Sequence, residues 1–382
     1  MRSLRPSRRT LRRQPRKPRP IVLALRYIMR LLIVGIGLGV LAGTVLSSID
    51  PSLRYTGEAA QEQSSKTDAK AGSKTGSDSM APKVSGLNLT REMSGLRSQL
   101  ELRISANTGL TVGVFIVDLD TGSYLDINSH RQFSSASTIK LPILVALFEE
   151  IDAGNIKLDD QLTMKPELIA AEAGEMQLQP PGTQFSVLTT ATEMIRISDN
   201  TATNLLIDRL GGSAKLNQRF QSWGLQQTQV RNLLPDVEGT NTISPNDLVT
   251  LMGRINQGEI VSLGSRDRLL GILRTTQTNE LLPQGLGPGA AIAHKTGNIG
   301  KAVGDVGLID MPSGKRYIIM AMVERSAGDL RAEDLIRSIS AETYRFLEAT
   351  GSTSEQMPPT LPRSNIAEQE PKTAPSIMTT DP

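Results

Sequence analysis

Residues 291–324 read AIAHKTGNIGKAVGDVGLIDMPSGKRYIIMAMVE. Three strand-like runs, AIAHKTGNI, AVGDVGLID and RYIIMAMVE, are divided by turn residues. Runs of this length bounded by such residues predict strands, and connections this short predict antiparallel pairing. Far upstream, TVGVFIVDLDTGSYLDINS at 111–129 predicts two more strands, with Asp120-Thr121-Gly122 at the turn. The residues between the two groups are patterned for helices. One segment starts at Ser137, one runs from Leu188 to Arg196, and one from Thr201 to Leu210 ends at Gly211-Gly212. Another starts at Ser244-Pro245, with Ser as the cap and Pro at the first helical position. Leu89, Met93, Leu96, Leu100 and Ile104 predict a helix ahead of the first strand. Leu335, Ile339, Tyr344 and Leu347 predict another after the last strand. Strands from both ends can then form one antiparallel sheet with a helical lobe inserted between them, an α+β fold.

Composition narrows the chemistry. The 382 residues include no Cys, which excludes disulfides, thiol catalysis and Cys-based metal sites. There are only two His, His130 and His294, too few for a metal site built on several imidazoles. No metal and no cofactor is expected. Net charge is +3, yet residues 1–30 hold eleven Arg or Lys and no acid, so the rest of the chain carries −8. The sequence pI near 9.1 therefore belongs to a short tail and does not mark the body as a nucleic-acid binder.

Residues 31–49, LLIVGIGLGVLAGTVLSSI, contain no charge and suit a single bilayer span. The basic tail precedes them, so residues 1–30 are expected in the cytoplasm and the body outside the cytoplasmic membrane. A cleaved signal peptide is the alternative; the long basic region and the lack of a small-x-small site favour an anchor. Residues 50–86 are rich in Ser, Lys, Gly and Ala and read as a flexible linker. Residues 351–382 read as a disordered tail, which leaves residues 87–350 as the catalytic body.

Three short motifs in that body carry chemistry. Ser137-Thr138-Ile139-Lys140 opens an apolar helix, where positions three apart share a face. A lysine in an apolar cleft loses proton affinity and can take the serine proton. Ser198-Asp199-Asn200 offers a hydroxyl for proton relay and an amide to grip a carbonyl, and it is equally a good helix cap. Lys295-Thr296-Gly297 ends a strand with a fixed charge, a hydroxyl and a residue that lets backbone approach a ligand. His294 adjoins Lys295 and so faces the other side of the strand, which removes it as a general base. His130 reads as a loop residue. Pro142 has no rationale inside a helix at this level.

Taken in order, and with their surroundings FSSASTIKLPIL, MIRISDNTATNLLIDRLGG and AHKTGNIG, these motifs resemble the class A β-lactamase and penicillin-binding family. The resemblance covers about residues 87–350. It implies a five-stranded antiparallel sheet flanked by helices, an all-helical lobe and a cleft between them. It also implies Ser137 as the acylated nucleophile, Lys140 as its base or relay, and Ser198 as the proton shuttle. Asn200 would bind the substrate amide, and Lys295 with Thr296 the substrate carboxylate. The N–H groups of Ser137 and Asn298 would form the oxyanion hole.

Two departures stand out. The family's Glu-x-x-x-Asn loop, which activates the deacylating water, corresponds here to VRNLLPDVEGTNTISP. That segment is short and offers only Asp236 and Glu238, off the family spacing; Glu238, the longer, is the expected base. No Arg follows the Lys-Thr-Gly motif on the next strand, where Asp305 stands instead. The expected activity is opening of β-lactam rings through a Ser137 acyl-enzyme with slow deacylation. The alternatives are a D-alanyl-D-alanine carboxypeptidase acting on peptidoglycan peptides and a penicillin-binding sensor without turnover.

Overall fold

The computed structural model describes residues 86–352. The expected basic tail, span and nearly all of the linker lie outside the described residues, as do residues 353–382. Among the described residues no helix is long and apolar enough to cross a membrane.

The five expected strands are all present. They are β1 (Thr111–Asp118), β2 (Tyr124–Ile127), β7 (Ala291–Ile299), β8 (Ala302–Asp310) and β9 (Arg316–Glu324), in the spatial order β2-β1-β9-β8-β7. Every neighbour is antiparallel, and β9 joins the two ends of the domain by pairing β1 on one side and β8 on the other. The central strands are apolar on both faces because both are covered. Phe115 and Val117 of β1 join one core with Ile318, Met320 and Met322 of β9. Val112, Val114 and Ile116 join the other with Tyr317, Ile319, Ala321 and Val323. The second core is closed by α1 (Ser94–Ser105) through Leu96 and Leu100, and by α8 (Arg331–Ser352) through Leu335, Ile339 and Leu347. Leu89 and Met93, expected within the first helix, are buried just ahead of it.

The first core is closed by the inserted helices: α2 (Lys140–Asp152), α3 (Val187–Arg196), α4 (Asn200–Arg209), α5 (Gly212–Ser222), α6 (Pro245–Gln257) and α7 (Leu263–Leu273). Two small ribbons, β3 (Phe133–Ser134) with β6 (Thr242–Ile243) and β4 (Gln161–Thr163) with β5 (Gln184–Ser186), tie its loops. Helix α6 begins as its sequence requires: the Ser244 hydroxyl accepts from the Asp247 N–H at 3.1 Å and Pro245 follows.

Helix α2 is the axis of this lobe. Every residue from Lys140 to Phe148 is buried, the pattern of a helix enclosed on all sides. The segment expected to be helical from Ser137 starts instead with a 3₁₀ turn, Ala136–Ile139, and becomes α-helical at Lys140. Pro142 thereby falls in the first turn of α2, where the N–H has no intrahelical partner to lose.

Phe148 is fully buried at the far end of that helix. Phe148→Ala is expected to cost about 3–5 kcal/mol by urea unfolding of the full chain. A loss below about 1 kcal/mol would contradict the central place given to α2.

Candidate active site

Three backbone segments converge at the start of α2. The 3₁₀ turn carries Ser137, the loop before α4 carries Ser198 and the first residue of α4 is Asn200, and β7 carries Lys295 to Asn298. Gly297 permits the closest of these approaches. A Cβ placed on it would lie 2.8 Å from the Ser137 nitrogen and 2.9 Å from that of Thr138. Two non-glycine residues here have left-handed backbone, Ala136 at φ +46° and Ser198 at φ +59°. Such strain persists where the surroundings over-determine it, as at functional sites. At Ser198 the cause is visible: Asp199 caps α4 by accepting the Ala202 N–H at 2.8 Å, and its other oxygen takes the N–H groups of Glu175 and Met176. The Ser-Asp-Asn segment is thus both a helix cap and a part of the site.

Lys140 is fully buried, and its Nζ reaches four oxygens. These are Ser137 Oγ at 3.0 Å, Ser198 Oγ at 2.9 Å, the Ser198 carbonyl at 2.6 Å and Asn200 Oδ1 at 2.9 Å. The two carbonyl oxygens can only accept. The amine donates to both, and its remaining direction is shared between the Ser137 and Ser198 hydroxyls. Burial drives the Lys140 pKa well below the ordinary lysine value; the nearby Lys295 charge lowers it further, and Asp199 opposes both. The arrangement can therefore take a proton from Ser137.

Lys295 is also buried, and burial lowers its pKa to about 8 against the opposing pull of Asp305. Its Nζ donates to the Thr296 carbonyl at 2.7 Å, and Thr296 is buried beside it. His294 faces the other way, as strand alternation requires. Its Nδ1 lies 3.0 Å from the buried carboxylate of Asp305, which also accepts the Leu282 N–H. Asp305 therefore supports the back of β7 and does not enter the cleft. His130 is exposed, 4.0 Å from Asp126.

A cavity of about 340 Å³ lies in front of this group. Ser137, Asn200 and Asn298 line it together with Glu172 and the loop residues Leu234 to Val237. Asn200 Nδ2 donates to the Ala171 carbonyl at 2.8 Å, which leaves one amide hydrogen for a ligand. Asn298 Oδ1 accepts from Arg325 Nη2 at 2.8 Å. A cation thus reaches the cleft edge from the end of β9, paired there with Glu333 at 2.6 Å.

The sequence profile of the β-lactamase enzyme family matches residues 95–347. The chain belongs to the β-lactamase enzyme family. It is a serine β-lactamase-like hydrolase. It is 26% identical over 268 residues to the extended-spectrum β-lactamase PER-1 of Pseudomonas aeruginosa, covering 66% of this chain and 87% of that one. It is 27% identical over 248 residues to β-lactamase AER-1 of Aeromonas hydrophila, covering 63% and 79%. Among solved structures it resembles PBP-A at 52% identity and a TM-score of 0.68, covering 69% of this chain and 99% of that one. A PBP-A mutant has been captured as an acyl-enzyme with penicillin G, at the same identity and TM-score.

Against that family pattern the loop from Val230 to Ser244 is the outlier. Asp236 lies on the cavity wall, but its carboxylate is spent within the loop. One oxygen accepts from Thr240 Oγ1 at 2.8 Å and the other from the Asn241 N–H at 2.6 Å. Glu238, the expected base, is exposed and does not line the cavity. The short loop turns its side chain to solvent, so the structure does not bring it to Ser137. The position on the wall is held instead by Leu234, whose N–H and carbonyl are both bound by the Asn204 amide at 2.8 and 2.7 Å. Asn204 stands four residues after Asn200 on the same helix face, a spacing that marks it in the sequence. The left-handed Glu172 and the approach of Arg325 depend on long-range packing and have no comparable signal.

Lys295 is charged below about pH 8 and neutral above it. If it holds a substrate carboxylate, second-order acylation by a penicillin should fall as pH rises through about 8, with the change in apparent binding. Efficiency that stays level up to the ordinary lysine range would remove Lys295 from that role.

Proposed function

We propose that this hydrolase is acylated by β-lactams at Ser137 and releases the product slowly. The Lys140 amine takes the Ser137 proton as Oγ attacks the lactam carbonyl. The N–H groups of Ser137 and Asn298 hold the oxyanion. The ring C–N bond then breaks, and Ser198 passes the proton from Lys140 to the departing nitrogen. Lys295 and Thr296 hold the substrate carboxylate, and the remaining Nδ2 hydrogen of Asn200 holds the acyl amide.

Slow release rests on one observation. The wall formed by Leu234 to Val237 is apolar at Leu234, Pro235 and Val237, and the carboxylate of that segment, Asp236, already accepts two hydrogen bonds, while Glu172 stands apart at the rim beside Asn200. Water beside the ester lacks a base there, and general-base assistance is typically worth about 10²–10⁴ in rate. The penicillin G acyl-enzyme of the similar PBP-A mutant supports the first half of the reading. The same wall favours a second reading, in which the natural acyl donor is a D-alanyl-D-alanine peptide and β-lactams act as its slow analogues. We further propose that residues 31–49 anchor the chain, with the body outside the cytoplasmic membrane, supported by the uncharged run behind a basic tail.

Intact-mass measurement after a pulse of penicillin G tests this. The full chain should gain one penicillin, Ser137→Ala should gain none, and Leu234→Glu should shorten the adduct lifetime at least about tenfold by placing a carboxylate on the wall. Label retained in Ser137→Ala, or rapid release from the parent chain, would contradict the proposal.

A further inference from the structure

We infer that Glu172 is a specificity residue that selects acyl donors carrying a cationic group on the acyl side of the reacting amide. This rests on the acylation at Ser137 proposed above and adds a substrate class to it.

The first observation is conformational. Glu172 has φ +74°, in the left-handed region that side chains other than Asn, Asp and Gly seldom adopt. Its neighbours explain how that conformation is held. The Ala171 carbonyl accepts from Asn200 Nδ2 at 2.8 Å, and the Ala173 carbonyl accepts from the Asn200 N–H at 3.1 Å. Ala173 also donates its N–H back to the Ala171 carbonyl at 3.0 Å. One turn on, the Asp199 carboxylate takes the N–H groups of Glu175 and Met176 at 2.8 and 2.9 Å. Gly174 presses against that carboxylate so closely that a Cβ would lie 2.1 Å from Asp199 Cγ. The loop is therefore clamped on both sides of Glu172, and the clamp is the Ser-Asp-Asn segment of the catalytic group. The residue presented by the clamp cannot drift with a loose surface loop.

The second observation is position and charge. Glu172 is exposed and lines the same cavity as Ser137 and Asn200. The other carboxylate on that wall, Asp236, is bound within its own loop. Among the described residues no side chain pairs with the Glu172 carboxylate, so its charge is available to a ligand. Lys295 lies deep in the site as a cation, whereas Glu172 stands at the rim beside Asn200. A substrate held by its carboxylate at Lys295 and by its acyl amide at Asn200 extends its acyl substituent past Glu172. The cleft is thus polarised for a zwitterion, with the anionic end inward and an ammonium outward. Aminopenicillins have this form, as do peptides ending in D-alanyl-D-alanine in which the preceding residue carries a side-chain amine.

The test is second-order acylation of the full chain by three penicillins that differ only in the acyl substituent. Ampicillin carries an ammonium, penicillin G is neutral there, and carbenicillin carries a carboxylate. The expected order is ampicillin, then penicillin G, then carbenicillin, with about a fivefold step for an exposed charge pair, shrinking as salt is added. The ampicillin-to-carbenicillin ratio should collapse toward one in Glu172→Gln and invert in Glu172→Lys. A ratio unchanged by both substitutions, with acylation intact, would overturn the role of Glu172 alone. Failure of all three penicillins to acylate the parent chain would overturn the Ser137 reading and this inference with it.

Discussion

The site depends on holding the Lys140 amine inside the protein, where burial disfavours its charged form. Lys140 has no carboxylate in contact and has a second buried lysine nearby, so the charged form is opposed by desolvation and by repulsion. The fold surrounds the amine with two carbonyl acceptors and the hydroxyls of Ser137 and Ser198. Each acceptor comes from a segment positioned by something else. Helix α2 is buried on all sides, the Ser198 backbone is held left-handed by the Asp199 cap, and Asn200 is fixed by the Ala171 carbonyl. Loss of any of these would leave a polar group unpaired in the interior, a penalty of roughly 1–3 kcal/mol.

The second half of the reaction is governed by a different constraint. Asn204 binds both backbone groups of Leu234, and Asp236 ties the loop ends together, so the Leu234 to Val237 segment of the wall is held in place. The Asp236 carboxylate is engaged in giving the loop its shape. In the proposed reaction, attack by Ser137 and release by water draw on separate parts of the protein.

Much of this is legible before the fold is known. The five strands carry short-range signals, apolar runs and turn residues; two of the motifs lie at helix starts where capping rules place them, while Lys295-Thr296-Gly297, expected at a strand end, lies within β7. The start of α2 is where local rules fall short. Ser137 sits in a 3₁₀ turn forced by the close approach of Gly297, a contact between residues far apart in the chain. Pro142 acquires its reason only once that turn has shifted the helix start to Lys140. Glu238 misleads for a related reason: in a shortened loop, spacing does not say which way a side chain points. The pairing of Asp305 with His294 follows from strand register, which fixes what faces the cleft and what supports it from behind.

The most direct test of the account is the ionisation of Lys140 itself. Titration of the full chain with ¹³C,¹⁵N-labelled lysine, assigned through Lys140→Arg, should show one Nζ signal changing well below the ordinary lysine value of 10.5. A Lys140 signal that titrates in the ordinary lysine range would mean that the amine is charged at neutral pH, and that Ser137 is deprotonated by some other group.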